Sequence, residues 1–424
     1  MKITCAPLGY DFCRDRDGLD VVLYGRSGSP DRGSAGAALL RELQRRKLSP
    51  APRAWDLLSI ALSVVATDLA GHRARSPDGW TREFDLQVAV SDPVFWSTQR
   101  SLVEQLLSFL TTDRWHLAFV EGGLLPAPCQ DPVLPPEECV VLLSGGLDSF
   151  VGALDLAAQK LKPFAVSNVV RGDAGNQTLF ASMIGGGLTH LQLNHNADVP
   201  DAEEPPSQRA RSAIFLAYGV LAATALKQYR AGHDVALYVC ENGFISINPP
   251  LTDARLGSLS TRTTHPVFLG LFQRLLDAAA LRVRIENPYQ FKTKGQMLTG
   301  CRNQQLLIQY AHETTSCGRY KRFGYRHCGR CVPCLIRRAA FTAWGVQDGT
   351  TYVYPNLAAH IGDPNFDDLQ SAAMAVAQVE DEGLDRWLGA TLSSTLLSDP
   401  KPYSDIAGRG LGELAAFLKA CGIS

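Results

Sequence analysis

The sequence predicts an α/β protein whose central part is a mostly parallel sheet with helices on both faces. Short apolar segments alternate with longer helix-like segments between residues 138 and 345. One of the apolar segments, "CVVLLS", stops at two glycines, and a helix-like segment follows. Strand–helix alternation of this kind predicts parallel strands joined by crossover helices.

The overall composition excludes several classes of protein. The 424 residues carry a formal net charge of -1, which argues against a nucleic acid or a membrane surface as partner. No apolar run approaches the roughly 20 residues that a membrane helix needs. The first residues, "MKITCAPLGYDFC", lack the apolar core of a signal peptide. We therefore expect a cytoplasmic protein with reduced cysteines.

The chain divides into four predicted parts. Residues 1–124 are expected to form an α/β accessory domain, with a helix near 55–70 and a strand near 84–90. Residues 125–137 contain five prolines and are expected to form a linker. The central domain follows over 138–345, and residues 346–424 are expected to form a helical extension. The central strands are predicted at 139–144, 164–169, 188–193, 234–239 and 281–286, and its long helices at 210–229 and 266–280.

The string "LSGGLDS" is the clearest candidate site. Glycines at 145 and 146 allow backbone angles forbidden to other residues and let a ligand approach the main chain. Amide N–H groups in such a turn, together with the start of a helix, bind anions such as phosphate. The Gly-Lys-Ser/Thr of the Walker motif is missing. The predicted phosphate site comprises Leu143, Ser144, Gly145, Gly146, Leu147, Asp148 and Ser149.

Asp148 is acidic where a phosphate would bind. It therefore acts either through a magnesium ion or by orienting the turn, which we expect at the surface edge of the sheet. A tight strand–helix turn without a ligand would need two glycines as well, but the whole string is more specific than the glycines alone.

Four cysteines lie close together in the sequence. Cys317, Cys328, Cys331 and Cys334 are separated by ten, two and two residues. Four thiolates at such spacing suit a structural, tetrahedral zinc ion. An iron–sulfur cluster uses the same ligands and is the alternative metal centre, and unrelated buried thiols are the alternative without metal.

The glycine string resembles the "SGGxDS" loop of PP-loop ATP pyrophosphatases, which grip the pyrophosphate of ATP and transfer AMP to an oxygen. With the cysteines and "LIRRAAF" (335–341), the chain resembles the QueC family, the 7-cyano-7-deazaguanine synthases of queuosine biosynthesis. The segments "RARSAIFLAYG", "VCENGF" and "KTKGQML" match the family in order. The resemblance implies nucleotide contacts for Arg211, Glu241 and Asn242, and catalytic roles for Asp148, Ser149 and Lys294.

Some features depart from the biosynthetic enzymes. The family's substrate loop is replaced by "ISINPPLTDARLGSLSTRTTHP" (245–266), and long additions flank the core. In these respects the chain is most similar to the QueC-like QatC component of the Qat anti-phage system. That resemblance implies ATP, Mg²⁺ and Zn²⁺ as cofactors and a 7-deazaguanine carboxylate as substrate. It also implies amide formation with the N-terminal amine of a partner protein of the defence system.

Three other functions remain open at this point. The chain could be the biosynthetic enzyme that makes the nitrile with ammonia. It could be a PP-loop enzyme that modifies tRNA, although no thiolation-type cysteine lies near the loop. The non-enzymatic alternative is a defence scaffold that binds ATP without turnover.

Overall fold

The protein folds around two parallel sheets with helices between them. The computed structural model describes residues 1–12, 18–127, 129–204, 206–207, 209–252, 262–360, 366–392, 394–397 and 399–423. Within these residues both sheets have five strands, and every strand pair is parallel. The predicted α/β class is therefore confirmed.

The first sheet has the strand order β3-β2-β1-β4-β5. Its strands are β1 Lys2–Pro7, β2 Gly18–Leu23, β3 Gly33–Ala35, β4 Glu83–Ala89 and β5 Arg114–Val120. Its helices are α1 Leu39–Arg45, α2 Pro52–Ala70, α3 Pro93–Thr98 and α4 Arg100–Thr111. The alternation in "EFDLQVA" buries Phe84, Leu86 and Val88 and leaves Glu83 and Asp85 exposed, so the first part of β4 has one face in the core and one in water.

The second sheet has the order β10-β9-β6-β7-β8. Its strands are β6 Cys139–Leu142, β7 Pro163–Asn168, β8 His190–Leu193, β9 Val235–Tyr238 and β10 Val283–Glu286. The accompanying helices are α5 Leu147–Ala158, α6 Ala174–Met183, α7 Arg211–Ala225, α8 Lys227–Arg230, α9 Gly243–Ser246, α10 Pro266–Ala278, α11 Lys294–Thr299, α12 Gln304–Tyr310 and α13 Val332–Trp344. Short 3₁₀ turns span Arg73–Arg75, Ile184–Gly186, Ala311–Glu313, Lys321–Phe323 and Ala358–His360. All five predicted strands are present.

One predicted helix is interrupted. The expected helix over 210–229 breaks at Leu226, whose ψ of 152° is extended. The N–H of Lys227 donates instead to the carbonyl of Pro135 at 2.9 Å, which fastens the chain before β6. The apolar periodicity could not show this break because Leu226 is itself buried.

The second sheet is covered on both faces, as predicted. Val140 and Phe164 face one core, which also contains α7. Val141 and Ala165 face the other, which contains α5. The first core is continuous between the two sheets, because α2 packs on α7 and α4 packs on α10. Residues 125–137 have no helix or strand among their described positions, and the domain boundary there stays a prediction.

The C-terminal residues are helical. The helices are α14 Asp367–Glu382, α15 Leu384–Leu392 and α16 Lys401–Ala420. Helix α16 packs on α13 through Leu414, Phe417 and Leu418. In the part of the chain that the structure describes, no helix combines the length and apolar character needed to cross a bilayer.

The strand order fixes the position of the candidate site. β6 lies between β7 and β9, so the chain leaving β6 and the chain leaving β9 diverge at a switch point. Ligands of open parallel sheets bind in the crevice at such a point, beyond the carboxyl ends of the strands. The segments after β6 and β9 begin with Leu143 and Val239, respectively.

Candidate active site

The glycine turn (residues 144–149) connects β6 to α5. Gly145 has a φ of +88°, which favours glycine, and Gly146 precedes the helix. The Oγ of Ser149 donates to the Gly146 carbonyl at 3.0 Å and lies 3.0 Å from the Oγ of Ser144. The N–H of Thr315 donates to the Gly145 carbonyl at 3.0 Å. The turn is thus held from within and from a distant segment.

Asp148 is the centre of the site. The residue is only 5% exposed, so the expectation of a surface turn is wrong. Asn242 donates to Oδ2 from its backbone N–H at 3.1 Å and from its Nδ2 at 2.7 Å. The Nζ of Lys294 pairs with Oδ1. These contacts join the segments that follow β6 and β9 to the first residue of α11.

The carboxyl groups of Asp148 and Glu241 interact directly. Burial opposes ionisation of Asp148, but the charge of Lys294 and hydrogen bonds from Glu241 and Asn242 hold its pKa below the usual range. Burial, and then the charge of Asp148, raise the pKa of Glu241 well above its usual value. The two carboxyl groups are therefore coupled, so that Asp148 favours its ionised form and Glu241 its protonated form.

A cavity of about 240 Å³ lies over these groups. Its lining residues are Ser144, Gly146, Leu147, Asp148, Ser149, Cys240, Glu241, Ile245, Lys294, Thr315, Ser316 and Pro333. Lys294 is only 7% exposed. A cavity with a buried lysine, two carboxyl groups and serine hydroxyls suits a phosphorylated ligand that also carries a cation.

Seven of the eleven residues predicted for the nucleotide site line this cavity, and Leu143, Gly145, Arg211 and Asn242 do not. Leu143 is a core residue: its N–H donates to the Val166 carbonyl at 2.8 Å, and its carbonyl accepts from Ser167. Arg211 begins α7 and does not line the cavity. Burial lowers the pKa of Arg211, while the nearby Asp173 acts in the opposite direction. Asp173 in turn lies against Gly145.

The sequence interpretation missed Thr315, Ser316 and Arg337. Arg337 is completely buried and donates to Thr314 Oγ1 at 2.8 Å and to Ser316 Oγ at 3.0 Å. It also donates to Thr350 Oγ1 at 2.8 Å. Arg337 thereby fixes the segment whose Thr315 contacts the glycine turn. The sequence signal that could have identified Thr315 and Ser316 was their position directly before Cys317, the first cysteine of the cluster.

The four cysteines form a closed cluster. Their Sγ atoms all lie within 4.8 Å of one another. The Sγ atoms of Cys317 and Cys331 are 3.9 Å apart, as are those of Cys328 and Cys334. Backbone N–H groups of Arg319, Cys328 and Cys331 donate to these sulfurs at 3.3–3.4 Å. All four cysteines are buried.

These distances fit zinc. A tetrahedral ion with Zn–S bonds of about 2.3 Å separates its sulfurs by about 3.8 Å. A [4Fe–4S] cluster would hold the four thiolates further apart, because its iron and sulfide atoms stand between them. Cys331 also caps α13, so a metal here would join the segment lining the cavity to that helix.

Comparisons with known proteins agree with this geometry. The family model described as "Queuosine biosynthesis protein QueC" matches residues 263–345. The 7-cyano-7-deazaguanine synthase of Rhizobium rhizogenes is 31% identical over 243 residues, which cover 51% of this chain and 92% of the relative. The chain belongs to the QueC family. The synthase of Rhizobium meliloti is likewise 31% identical, over 51% of this chain and 92% of its own length. No solved structure matches the chain significantly.

Membership in the QueC family covers only part of the chain. The family model ends at residue 345, one residue after α13. Because half of this chain accounts for about nine-tenths of each relative, the QueC relatives have little length left to match the other half.

Proposed function

We propose that this QueC-family chain is an ATP-dependent ligase that activates a 7-deazaguanine carboxylate and converts it to an amide. The observation that carries the proposal is the convergence of Asp148, Glu241 and Lys294 on the glycine turn. A carboxylate is a poor electrophile, and transfer of AMP gives it a good leaving group. The relatives' name, 7-cyano-7-deazaguanine synthase, supports the choice of a deazaguanine.

The reaction balances in two steps. A carboxylate oxygen attacks the α-phosphorus of ATP, a P–O bond forms, and pyrophosphate leaves. An amine then attacks the acyl carbon, AMP leaves, and one proton is released. In this proposal the glycine turn, with Ser144 and Ser149, holds the pyrophosphate, and Lys294 faces the negative charge that develops as it leaves. Arg211 lies behind Asp173 and acts on the turn from outside the cavity.

The implied metals fit the donor groups. Asp148 and Glu241 offer carboxylate oxygens that share a proton, and a magnesium ion replacing that proton would neutralise phosphate charge. Asn242 orients Asp148 for this role. The thiolates of Cys317, Cys328, Cys331 and Cys334 would hold a structural zinc ion, which fills all its positions with sulfur and leaves none for catalysis.

For the acceptor we propose the N-terminal amine of a partner protein, in a cytoplasmic anti-phage system of the Qat type. About half of the chain lies outside the match to each relative, which leaves room for a docking surface. An α-amine has a pKa near 8 and is far more available at neutral pH than a lysine with a pKa near 10.4. Residues 253–261 of the replaced substrate loop lie outside the described residues.

Product stoichiometry tests the acceptor. A protein amide consumes one ATP per carboxylate. The nitrile needs two, because the first amide must lose a water molecule and its oxygen needs a second activation. We expect one pyrophosphate per carboxylate and a mass gain on the N-terminal peptide of the partner encoded beside this gene. Two pyrophosphates and free nitrile from ammonia would instead support the biosynthetic activity named in the relatives. An Asp148→Asn variant is the control for both.

A further inference from the structure

The first turn of α11, which carries Lys294, is bonded to a residue 118 to 120 positions away. The hydroxyl of Thr293 donates to Oε1 of Glu413, and the N–H of Gly295 donates to Oε2 at 3.2 Å. Glu413 belongs to α16, in the C-terminal extension. The two residues that flank Lys294 are therefore held by one carboxylate from outside the matched QueC segment.

The turn also has a local cap, and Glu413 completes it. Thr293 Oγ1 accepts from the N–H of Gln296 at 3.0 Å, and Gln296 Oε1 accepts from the N–H of Thr293 at 3.0 Å. This capping box leaves the N–H of Gly295 for another acceptor. Glu413 supplies that acceptor and also engages the capping hydroxyl, so it sets the backbone from which the Lys294 side chain departs.

Helix α16 packs closely against the helices beside the cavity, at two positions where only glycine fits. A Cβ on Gly295 would lie 2.5 Å from Oε1 of Glu413 and 2.8 Å from Cβ of Ala343. A Cβ on Gly410 would lie 2.3 Å from the ring of Phe244. Only glycine permits these two approaches. Helix α16 thus contacts both α11 and α9, the helix that follows Glu241 and Asn242.

We infer that Glu413 is a positioning residue for Lys294 and that α16 is a necessary part of the active site. The inference rests on the proposed function in so far as Lys294 acts on ATP. Without Glu413, the Gly295 N–H and the Thr293 hydroxyl lose their acceptor beside a buried ion pair. The first turn of α11 then no longer fixes Lys294, and displacement by about 1 Å can cost roughly 100-fold in rate.

Two substitutions and a matched control test this. Glu413→Ala should lower kcat of carboxylate-dependent ATP–pyrophosphate exchange by about 10–100-fold, with little change in the KM for ATP. Glu413→Gln keeps one oxygen acceptor and should restore part of that loss. Asp405→Ala lies on the same helix, removes an exposed ion pair with Lys401, and should behave as wild type. Exchange in Glu413→Ala equal to that of Asp405→Ala would overturn the inference.

A second readout does not depend on catalysis. The acylation rate of Lys294, measured by peptide mass spectrometry, should rise several-fold in Glu413→Ala and stay unchanged in Asp405→Ala. If the wild type shows no ATP–pyrophosphate exchange, the proposed function fails. The acylation rate of Lys294 then tests by itself whether Glu413 positions Lys294. If Glu413→Ala does not fold, Thr293→Val, which removes the hydroxyl that donates to Glu413, replaces it. Unchanged labelling in every folded variant contradicts the positioning role.

Discussion

Asp148 and Lys294 are 146 residues apart in the sequence and form a buried ion pair on the floor of the candidate active site. Both side chains are almost inaccessible to water. Loss of one partner from a buried pair leaves an uncompensated charge, which is strongly destabilising. Both residues also face the cavity, so the pair couples the stability of the fold to the chemistry of the site.

The first prediction concerns this pair. Lys294→Met should lower the free energy of unfolding by about 3 kcal/mol, measured by urea denaturation. The double variant Asp148→Asn, Lys294→Met should recover much of that loss, because neither charge remains. Pyrophosphate release should be abolished in both. A double variant whose loss equals the sum of the single losses would show that the two charges do not interact.

The second prediction concerns pH. The raised pKa of Glu241, caused by burial and then by Asp148, means that the native state holds a proton that the unfolded state releases near pH 4.3. The stability contributed by this proton is fully present below that value and is lost as pH rises through the native pKa. Glu241→Gln should therefore gain stability relative to wild type as pH increases above about 4.3.

Urea unfolding at a series of pH values measures this difference. Glu380→Gln on α14 is the matched control, because Glu380 is exposed. The free energy of unfolding of the wild type, plotted against pH, should run parallel to that of Glu380→Gln. It should converge with or cross that of Glu241→Gln. Parallel curves for all three proteins would mean that Glu241 carries no extra proton in the native state.

The third prediction concerns the metal. The purified protein should contain about one zinc per chain, because the four sulfurs form one closed site. Cys331→Ser should lose the zinc and render residues 317–340 sensitive to protease, since binding free energy at such sites is folding free energy. Cys421→Ser, which lies outside the cluster, is the control. Elemental analysis that finds iron, or no metal in fresh protein, would reject zinc.

The fourth prediction concerns Arg337. Arg337→Met leaves the oxygens of Thr314, Ser316 and Thr350 without their donor. A buried group left unsatisfied costs about 1–3 kcal/mol, so we expect a loss of at least about 3 kcal/mol in stability from the three oxygens together. Hydrogen exchange should increase over residues 311–316, and affinity for a non-hydrolysable ATP analogue should fall. Arg386→Met, whose guanidinium is exposed, should change neither.

The sequence identified the features that depend on local pattern. The apolar runs predicted β6 to β10, and the cysteine spacing predicted a cluster that the structure assembles. The burial of Asp148 was not predicted, because Asn242 and Lys294 become its neighbours only through the order of the strands. Arg337 looked like an ordinary helix residue for the same reason: its acceptors lie on segments 13 to 26 positions away. The strands β1, β2, β3 and β5 were not identified from the sequence, although β5 alternates in burial in the same way as β4.

The continuous core between the two sheets has a consequence for synthesis on the ribosome. Helix α2 is buried along nearly its whole length, between its own sheet on one side and α7 on the other. The last strand of the N-terminal sheet ends at Val120, well before α7 begins at Arg211, and 140 residues lie between Ala70 and Arg211. At a translation rate of 5–20 residues per second, the side of α2 that α7 later covers stays exposed for roughly 7–30 s. During that interval the apolar side of α2 is exposed, and we expect the second sheet to fold onto an N-terminal unit that is already present.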